Sequence, residues 1–295
     1  MPDKSALGER MKTAYENRTK QFLTRRMPTI IRLDGSCFKN YTKGLNKPFD
    51  EGLIEDMQET TKFLCENIQG CKMGYTQSDE ITLVLTDYDK LETSAWFDYS
   101  VQKMTSISAS MATAKFNQLR LLRDTESNMY DTKWIEEENI KNKTLAFFDS
   151  RVFQIPEKEE VVNCLIWRQR DAEKNSVAMI AQSLYSPNEL HKKNGSDMQE
   201  MCFQKGHNWN DLHFSKKRGS FIIKNTYWNN ELVISKEVMD KYGDWYTEQW
   251  TKSITTIDEI FYKDGKVITP TVRTKWEVVE TPMFSKDRES ILKLI

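Results

Sequence analysis

The stretch Pro28-Thr-Ile-Ile-Arg-Leu-Asp-Gly-Ser-Cys-Phe38 decides how the rest of the chain is read. Thr29–Leu33 is short, β-branched and mostly apolar, the pattern of a buried strand. It breaks at Asp34-Gly35, where a carboxylate at the strand's exposed end meets a glycine that lets backbone approach a ligand. Such an end suits a metal ion or a phosphate, although the commoner use of Asp-Gly is simply to turn the chain. The neighbouring segments have to choose between the two.

Upstream, Leu7, Met11 and Tyr15 recur at helical spacing among charges, which predicts a basic amphipathic helix within residues 5–27. Downstream, Asp50 precedes Leu53, Ile54, Met57, Thr61, Leu64, Cys65 and Ile68, one face of a helix closed by Gly70. Lys72–Thr86 then reads as two strands around the polar turn Gln77-Ser78-Asp79-Glu80. Phe97, Val101, Met104, Ser108, Met111 and Ala112 mark a second long helix, and Ala146–Ile155 another strand stopped by Pro156. The order is β-α-β-β-α-β, an α+β, ferredoxin-like arrangement with both helices on one face of an antiparallel sheet. In it the first and third strands are neighbours running in opposite directions. Asp34 is therefore expected beside Asp79 and Glu80, and three carboxylates meet at one sheet edge.

The later chain is expected to add further helices and strands, with residues 1–156 as the catalytic part and 157–295 packed on it. Asp171 is read as the cap of a helix through Val177–Leu184, Ser186–Phe203 as a charged helix, and Gly219–Lys224 as a strand. Past Asn225 no clear pattern emerges.

Composition limits the classes of function. The chain has 295 residues, 29% charged and 38% hydrophobic, which is ordinary for a globular protein. No apolar run approaches the ~20 residues of a membrane span, and Met1-Pro2-Asp3-Lys4 leads into no apolar leader, so a cytoplasmic home is expected. Five cysteines without a C-x-x-C pair read as reduced thiols. Net charge is −1, but residues 1–48 carry eleven Lys or Arg against four Asp or Glu. That local surplus suits contact with phosphates over part of the surface. Neither a P-loop nor G-x-G-x-x-G is present, and the three histidines lack metal-ligand spacing.

Clustered carboxylates beside a glycine fit two Mg²⁺ ions, which prefer hard oxygen ligands and leave positions for substrate phosphates. Lys39, Lys47 and, one helix later, Lys103 are candidates to hold a triphosphate.

Taken together, Ile30–Phe38, Asn46-Lys47-Pro48-Phe49 and Gly74-Tyr-Thr-Gln-Ser-Asp-Glu80 resemble the tRNA(His) guanylyltransferase family. Lys103, Phe148–Phe153 and Trp167-Arg-Gln-Arg-Asp171 extend the likeness over most of residues 5–224. The resemblance implies a polymerase- and cyclase-type palm and addition of nucleotides to the 5′ end of tRNA in the 3′-to-5′ direction. ATP is implied as activator, GTP or another NTP as the nucleotide added, and a homotetramer as the assembly. Position by position, it implies Asp34, Asp79 and the Gly35 carbonyl as ligands of two Mg²⁺ ions, with Glu80 supporting the catalytic site. Ser36, Cys37, Phe38, Lys39 and Ser78 would contact the nucleotide, together with Asp34, Gly35 and Asp79, and Lys47 and Lys103 its phosphates. Where eukaryotic members carry His-Ile-Asn-Asn, this chain has Glu173-Lys174-Asn175-Ser176, which resembles the bacterial, archaeal and phage branch associated with templated repair of 5′-truncated tRNAs. The rival readings are a nucleotide cyclase or cyclic-dinucleotide synthase on the same palm, and a tRNA-binding protein without catalysis.

Overall fold

The structure, a computed structural model, describes residues 6–128, 145–228, 261–263, 266–268 and 272–295. Strands β1 (Thr29–Ser36), β2 (Cys71–Gln77), β3 (Glu80–Leu85), β4 (Phe147–Gln154), β5 (Ser220–Trp228) and β8 (Val272–Val279) make one six-stranded sheet in the order β4-β1-β3-β2-β5-β8. Its first four strands carry the expected ferredoxin-like order, and every pairing among them is antiparallel. The short strands β6 (Phe261–Lys263) and β7 (Lys266–Ile268) form a separate antiparallel pair.

The helices are α1 (Ala6–Ala14), α2 (Phe38–Tyr41), α3 (Glu51–Asn67), α4 (Val101–Asn128), α5 (Lys158–Leu184), α6 (Gly195–Gln204), α7 (Phe214–Lys217) and α8 (Arg288–Leu294). Asp50 caps α3 as expected, its carboxylate accepting from the Leu53 amide at 2.8 Å. α3 and α4 lie against the face carrying Ile31, Leu33, Ile81 and Leu83, all fully buried. Close approach needs Gly74, where a Cβ would stand 2.6 Å from the Cys65 sulfur. The opposite face carries Ile30, Met73, Tyr75 and Val84, which join Val161, Val162 and Leu165 of α5 and Phe284 and Ile291 near the C-terminus in a second core.

Several boundaries differ from the sequence reading for identifiable reasons. α4 starts at Val101, not Phe97, because Phe97, Asp98 and Tyr99 are all left-handed, with φ of 49°, 52° and 57°. α5 starts directly after Pro156, with Glu159 and Glu160 favouring its positive N-terminal end. Asp171 is consequently mid-helix and caps nothing. The expected helix over Ser186–Phe203 begins only at Gly195, where Asn194 and Asp197 form a capping box; turns precede it. The chain divides into one compact unit of Met1–Ile223 with Glu277–Ile295 and another of Lys224–Trp276. Residue 156, the expected boundary, falls inside the first. The five cysteines are free thiols, and among the described residues no helix is long and apolar enough to cross a membrane.

Candidate active site at the β1 and β2–β3 edge

β2 and β3 are joined by a two-residue turn, Ser78-Asp79, with Ser78 at φ 50°. The Asp79 carbonyl accepts a hydrogen bond from the Gly35 amide at 3.1 Å, tying the hairpin tip to the end of β1. In the ladder, Asp34 lies opposite Glu80 on one side and opposite Asp149 on the other. Residues paired in this way project from the same face, so the expected meeting of Asp34 with the acidic turn is present and a further carboxylate joins it.

These acids are not equivalent. Glu80 is buried, and its oxygens accept from Arg168 Nε at 2.6 Å and Arg168 Nη2 at 2.5 Å. Arg168 also reaches Asp171 at 3.0 Å and stacks on the Trp167 ring at 4.4 Å. Burial pushes the Glu80 carboxyl above its usual range, although the Arg168 guanidinium pulls it down. Asp149 lies 3.4 Å from Arg151. Asp34 remains half-exposed, with Arg151 no nearer than 3.8 Å. The Asp79 carboxyl is raised, first by burial and further by the charge of Asp34, against a lowering hydrogen bond from the Ser78 hydroxyl at 2.9 Å. Asp34 and Asp79, both hard oxygen donors at an accessible edge, fit Mg²⁺. That ion takes one or two carboxylates and completes its shell with water and phosphate oxygens. Among the described residues no group of three or more His, Cys, Asp or Glu is arranged to hold a metal by itself.

The remaining expected contacts divide. Ser36 and Cys37 are exposed at the end of β1, Cys37 at φ 55°, and Lys39 is exposed on α2. The Phe38 ring instead lies in the core, 4% exposed, against Tyr41, Phe116 and Phe148. Only its backbone is available to a ligand. Gly35 is required there, since a Cβ would meet the Phe38 ring at 2.2 Å. Lys47 is exposed in the loop before α3. Lys103 is not beside the hairpin. The Ser108 hydroxyl of α4 meets Ser150, which is level with Leu33, at 2.8 Å. Lys103, five residues earlier on the helix, stands ~7.5 Å back along the sheet, its ammonium 5.8 Å from the Phe97 ring.

Next to Ser78 opens a pocket of about 530 Å³ including its mouth, lined by Phe49, Leu53, Met179, Asn175, Ser176 and Lys217, among others. The replacement of His-Ile-Asn-Asn falls on its wall. Glu173 pairs with Arg218 at 3.1 Å, and the Ser176 hydroxyl accepts from Trp209 Nε1 at 3.0 Å. Lys216 pairs with Glu51, and Lys217 donates to the Asn210 carbonyl at 2.6 Å. Arg168, Asp149 and Arg151 were not singled out from the sequence as site residues. Their only signal was membership in the Phe148–Phe153 and Trp167–Asp171 segments.

A family model of tRNAHis guanylyltransferase matches residues 8–156. A bacterial tRNA(His) guanylyltransferase-like protein solved in complex with ATP has a TM-score of 0.72 and 38% identity, covering 98% of this chain and 99% of that one. Such a protein in complex with GTP gives a TM-score of 0.69 at 38% identity, with the same coverage. An uncharacterized protein of Acanthamoeba polyphaga mimivirus is 32% identical over 205 residues, 66% of this chain and 69% of its own length.

Proposed function

Since this chain belongs to the tRNAHis guanylyltransferase family and is a nucleotidyltransferase, we propose that it adds nucleotides to the 5′ end of tRNA in the 3′-to-5′ direction, repairing 5′-truncated tRNAs. The observation that carries this reading is the juncture of Asp34 with the Ser78-Asp79 hairpin, locked by the Gly35–Asp79 hydrogen bond. The ATP and GTP held by the bacterial proteins of 38% identity support the same two nucleotides here.

In this reading a 5′-phosphate oxygen of the RNA displaces pyrophosphate from ATP. The 3′-hydroxyl of an incoming GTP or other NTP then displaces AMP from the activated end. Both steps are phosphoryl-group transfers, in which positioning and charge stabilisation matter more than covalent chemistry. Asp34, Asp79 and the Gly35 carbonyl would hold two Mg²⁺ ions, which supply charge stabilisation and lower the pKa of the attacking hydroxyl. Asp34 and Asp79 would present their carboxylates to those ions, while the Arg168–Glu80 pair fixes the strand behind the hairpin. Exposed Ser36, Cys37 and Lys39 lie where the nucleotide would pass, and Lys47 can meet its phosphates. The proposal includes a homotetramer. Leu7 and Met11 of α1, a helix with no buried residue in the single chain, and Tyr15 just after it support it as exposed apolar side chains.

The test is incubation with Mg²⁺, ATP, GTP and a 5′-monophosphorylated tRNA lacking its first nucleotide. Extension of the 5′ end, abolished in Asp79→Ala, supports the reading. A wild type that leaves every 5′ end unchanged, or makes a cyclic nucleotide from NTP alone, refutes it.

A further inference from the structure

Beside Asp34, on the side away from the Ser78 pocket, lies a group of residues to which the reaction as described gives no role. Arg32 is two residues before Asp34 on β1 and shares its face of the sheet. Directly across the ladder from Arg32 is Arg151 of β4. Like charges directly opposed on neighbouring strands are unfavourable unless something intervenes. Arg151 is offset by Asp149 at 3.4 Å and Asp34 at 3.8 Å. Arg32 is less well answered: among the described residues its side chain has no hydrogen bond or ion pair, its Nε is shielded from water without a partner, and its charge acts on Glu80 only from a distance. Glu80, diagonally across the ladder from Arg32, is occupied by Arg168 on both oxygens. The guanidinium of Arg32 instead lies 5.6 Å from the ring of Trp167.

Trp167 is itself out of place for a core residue. Its neighbours Ile166 and Arg168 are buried at 6% and 7%, whereas Trp167 is 53% exposed. Arg168 lies over this indole but is committed to Glu80 and Asp171, so the exposed part of the ring, with the Arg32 guanidinium beside it, is the surface on which a base can stack while an arginine answers its phosphate. The distance from Arg32 to Asp34 is two residues, ~7 Å along a strand, within the span of one nucleotide.

We infer that Arg32 and Arg151 hold the phosphate, and Trp167 the base, of the 5′-terminal nucleotide of the RNA acceptor. The inference rests on the proposed function and deepens it by separating the two substrates in space. Five residues of helix separate Trp167 from Ala172, the first α5 residue of the Ser78 pocket, which is ~7.5 Å of rise and more than a full turn. A ligand in the Ser78 pocket and the RNA end would therefore approach the Asp34–Asp79 edge from different sides.

The phosphate could belong to RNA or to a free nucleotide, and binding measurements distinguish them. A tRNA lacking its first nucleotide is prepared with a 5′-monophosphate or a 5′-hydroxyl, and binding of each is measured by filter retention without nucleotide. ATP binding is measured separately. The wild type is expected to prefer the 5′-phosphate about tenfold, and Arg32→Gln and Arg151→Gln each to erase that preference. Trp167→Ala is expected to weaken both RNAs about tenfold, with Trp167→Phe restoring most of the loss. ATP binding should stay within about twofold throughout. Arg151 is half-exposed, so its variant keeps the test valid if Arg32→Gln does not fold. The inference falls if the wild type ignores the 5′-phosphate, if Arg151→Gln keeps the preference, or if Arg151→Gln loses ATP in parallel with RNA. A wild type that extends tRNA while Arg151→Gln behaves identically defeats this inference alone. One that grips the 5′-phosphate through Arg151 yet extends nothing defeats the proposed reaction alone.

Discussion

Glu80 stands directly across the β1–β3 ladder from Asp34, yet both of its carboxylate oxygens accept hydrogen bonds from Arg168. On the other side of Asp34, Asp149 is matched by Arg151 at 3.4 Å. The two flanking acids are thus each answered by an arginine. What is left at the edge is Asp34, half-exposed, and Asp79 on the hairpin, raised in pKa by burial and by Asp34 itself. A site whose two carboxylates have only a long contact to Arg151 at 3.8 Å and a serine hydroxyl at 2.9 Å to answer them is built to receive positive charge. The following predictions depend on that division of labour.

Asp34→Ala and Asp79→Ala should each lower 5′ addition by on the order of 10³-fold or more without disturbing the fold, since neither side chain belongs to the core. Mg²⁺ should raise the melting temperature of the wild type, because a ligand that binds only the folded chain stabilises it. It should do so much less in either variant. A Mg²⁺-dependent shift of equal size in Asp79→Ala would remove this residue from the metal site.

Without metal, the acidic edge should cost stability at neutral pH. The Asp79 carboxyl is raised in the folded chain above its ordinary 3.8, so the folded state favours its protonated form. Stability from this group is fully present below the ordinary value and is lost as pH rises through the raised one. Asp79→Asn should therefore be more stable than the wild type at pH 7 in EDTA, and the gap should close as the pH falls towards 3.8. Urea midpoints across that range decide it. A gap that stays constant with pH would assign the difference to something other than this carboxyl.

The sequence made the framework legible because two strong periodicities and one register argument sufficed. The short β-branched run Thr29–Leu33 and the two strand-like halves of Lys72–Thr86 identified the strands, and the β-α-β-β-α-β order then placed Asp34 against Glu80, as the ladder does. The positions that did not show were set by long-range contacts. Nothing local announces that Arg168, eighty-eight positions from Glu80, is its partner, or that Asp149 and Arg151 face β1. Lys103 went the other way. Sequence order put it one helix from the site, while the direction of α4 carries it back towards the start of β1. The segment Glu173–Ser176 and the Asn208–Gly219 stretch are far apart in the chain. Their connection appears only in space, where Arg218 meets Glu173 and Trp209 meets Ser176.

Gly35→Ala tests whether the glycine serves packing as well as ligand approach. Its Cβ would sit 2.2 Å from the Phe38 ring, which is itself held by Phe116 and Phe148 at 5.6 and 5.4 Å. The ring has no free direction in which to yield. The variant should lose about 1–3 kcal/mol of stability, the range for overpacked cores. Its 5′ addition should fall further than that of Ser36→Ala, because the displaced Phe38 opens α2 only three residues after the glycine. Chemical denaturation and single-turnover extension give the two numbers. A wild-type midpoint would show that the loop shifts without strain.

The Arg168–Glu80 pair gives the sharpest energetic contrast, because its members are 8% and 9% exposed at the side chain. Removing one partner of a buried pair leaves an uncompensated charge and costs about 3–5 kcal/mol. Arg168→Met should fall in that range, since Glu80 has no other cation within hydrogen-bond distance among the described residues. Glu80→Gln should cost less, because Arg168 keeps Asp171 at 3.0 Å. The double variant should recover much of the loss of Arg168→Met, since apolar or neutral replacement of a whole buried pair is often close to neutral. Urea denaturation of the four proteins closes the cycle. If Arg168→Met costs under about 1 kcal/mol, the range of an exposed pair, the carboxylate of Glu80 is not held as described. It would then be available to the metal site after all.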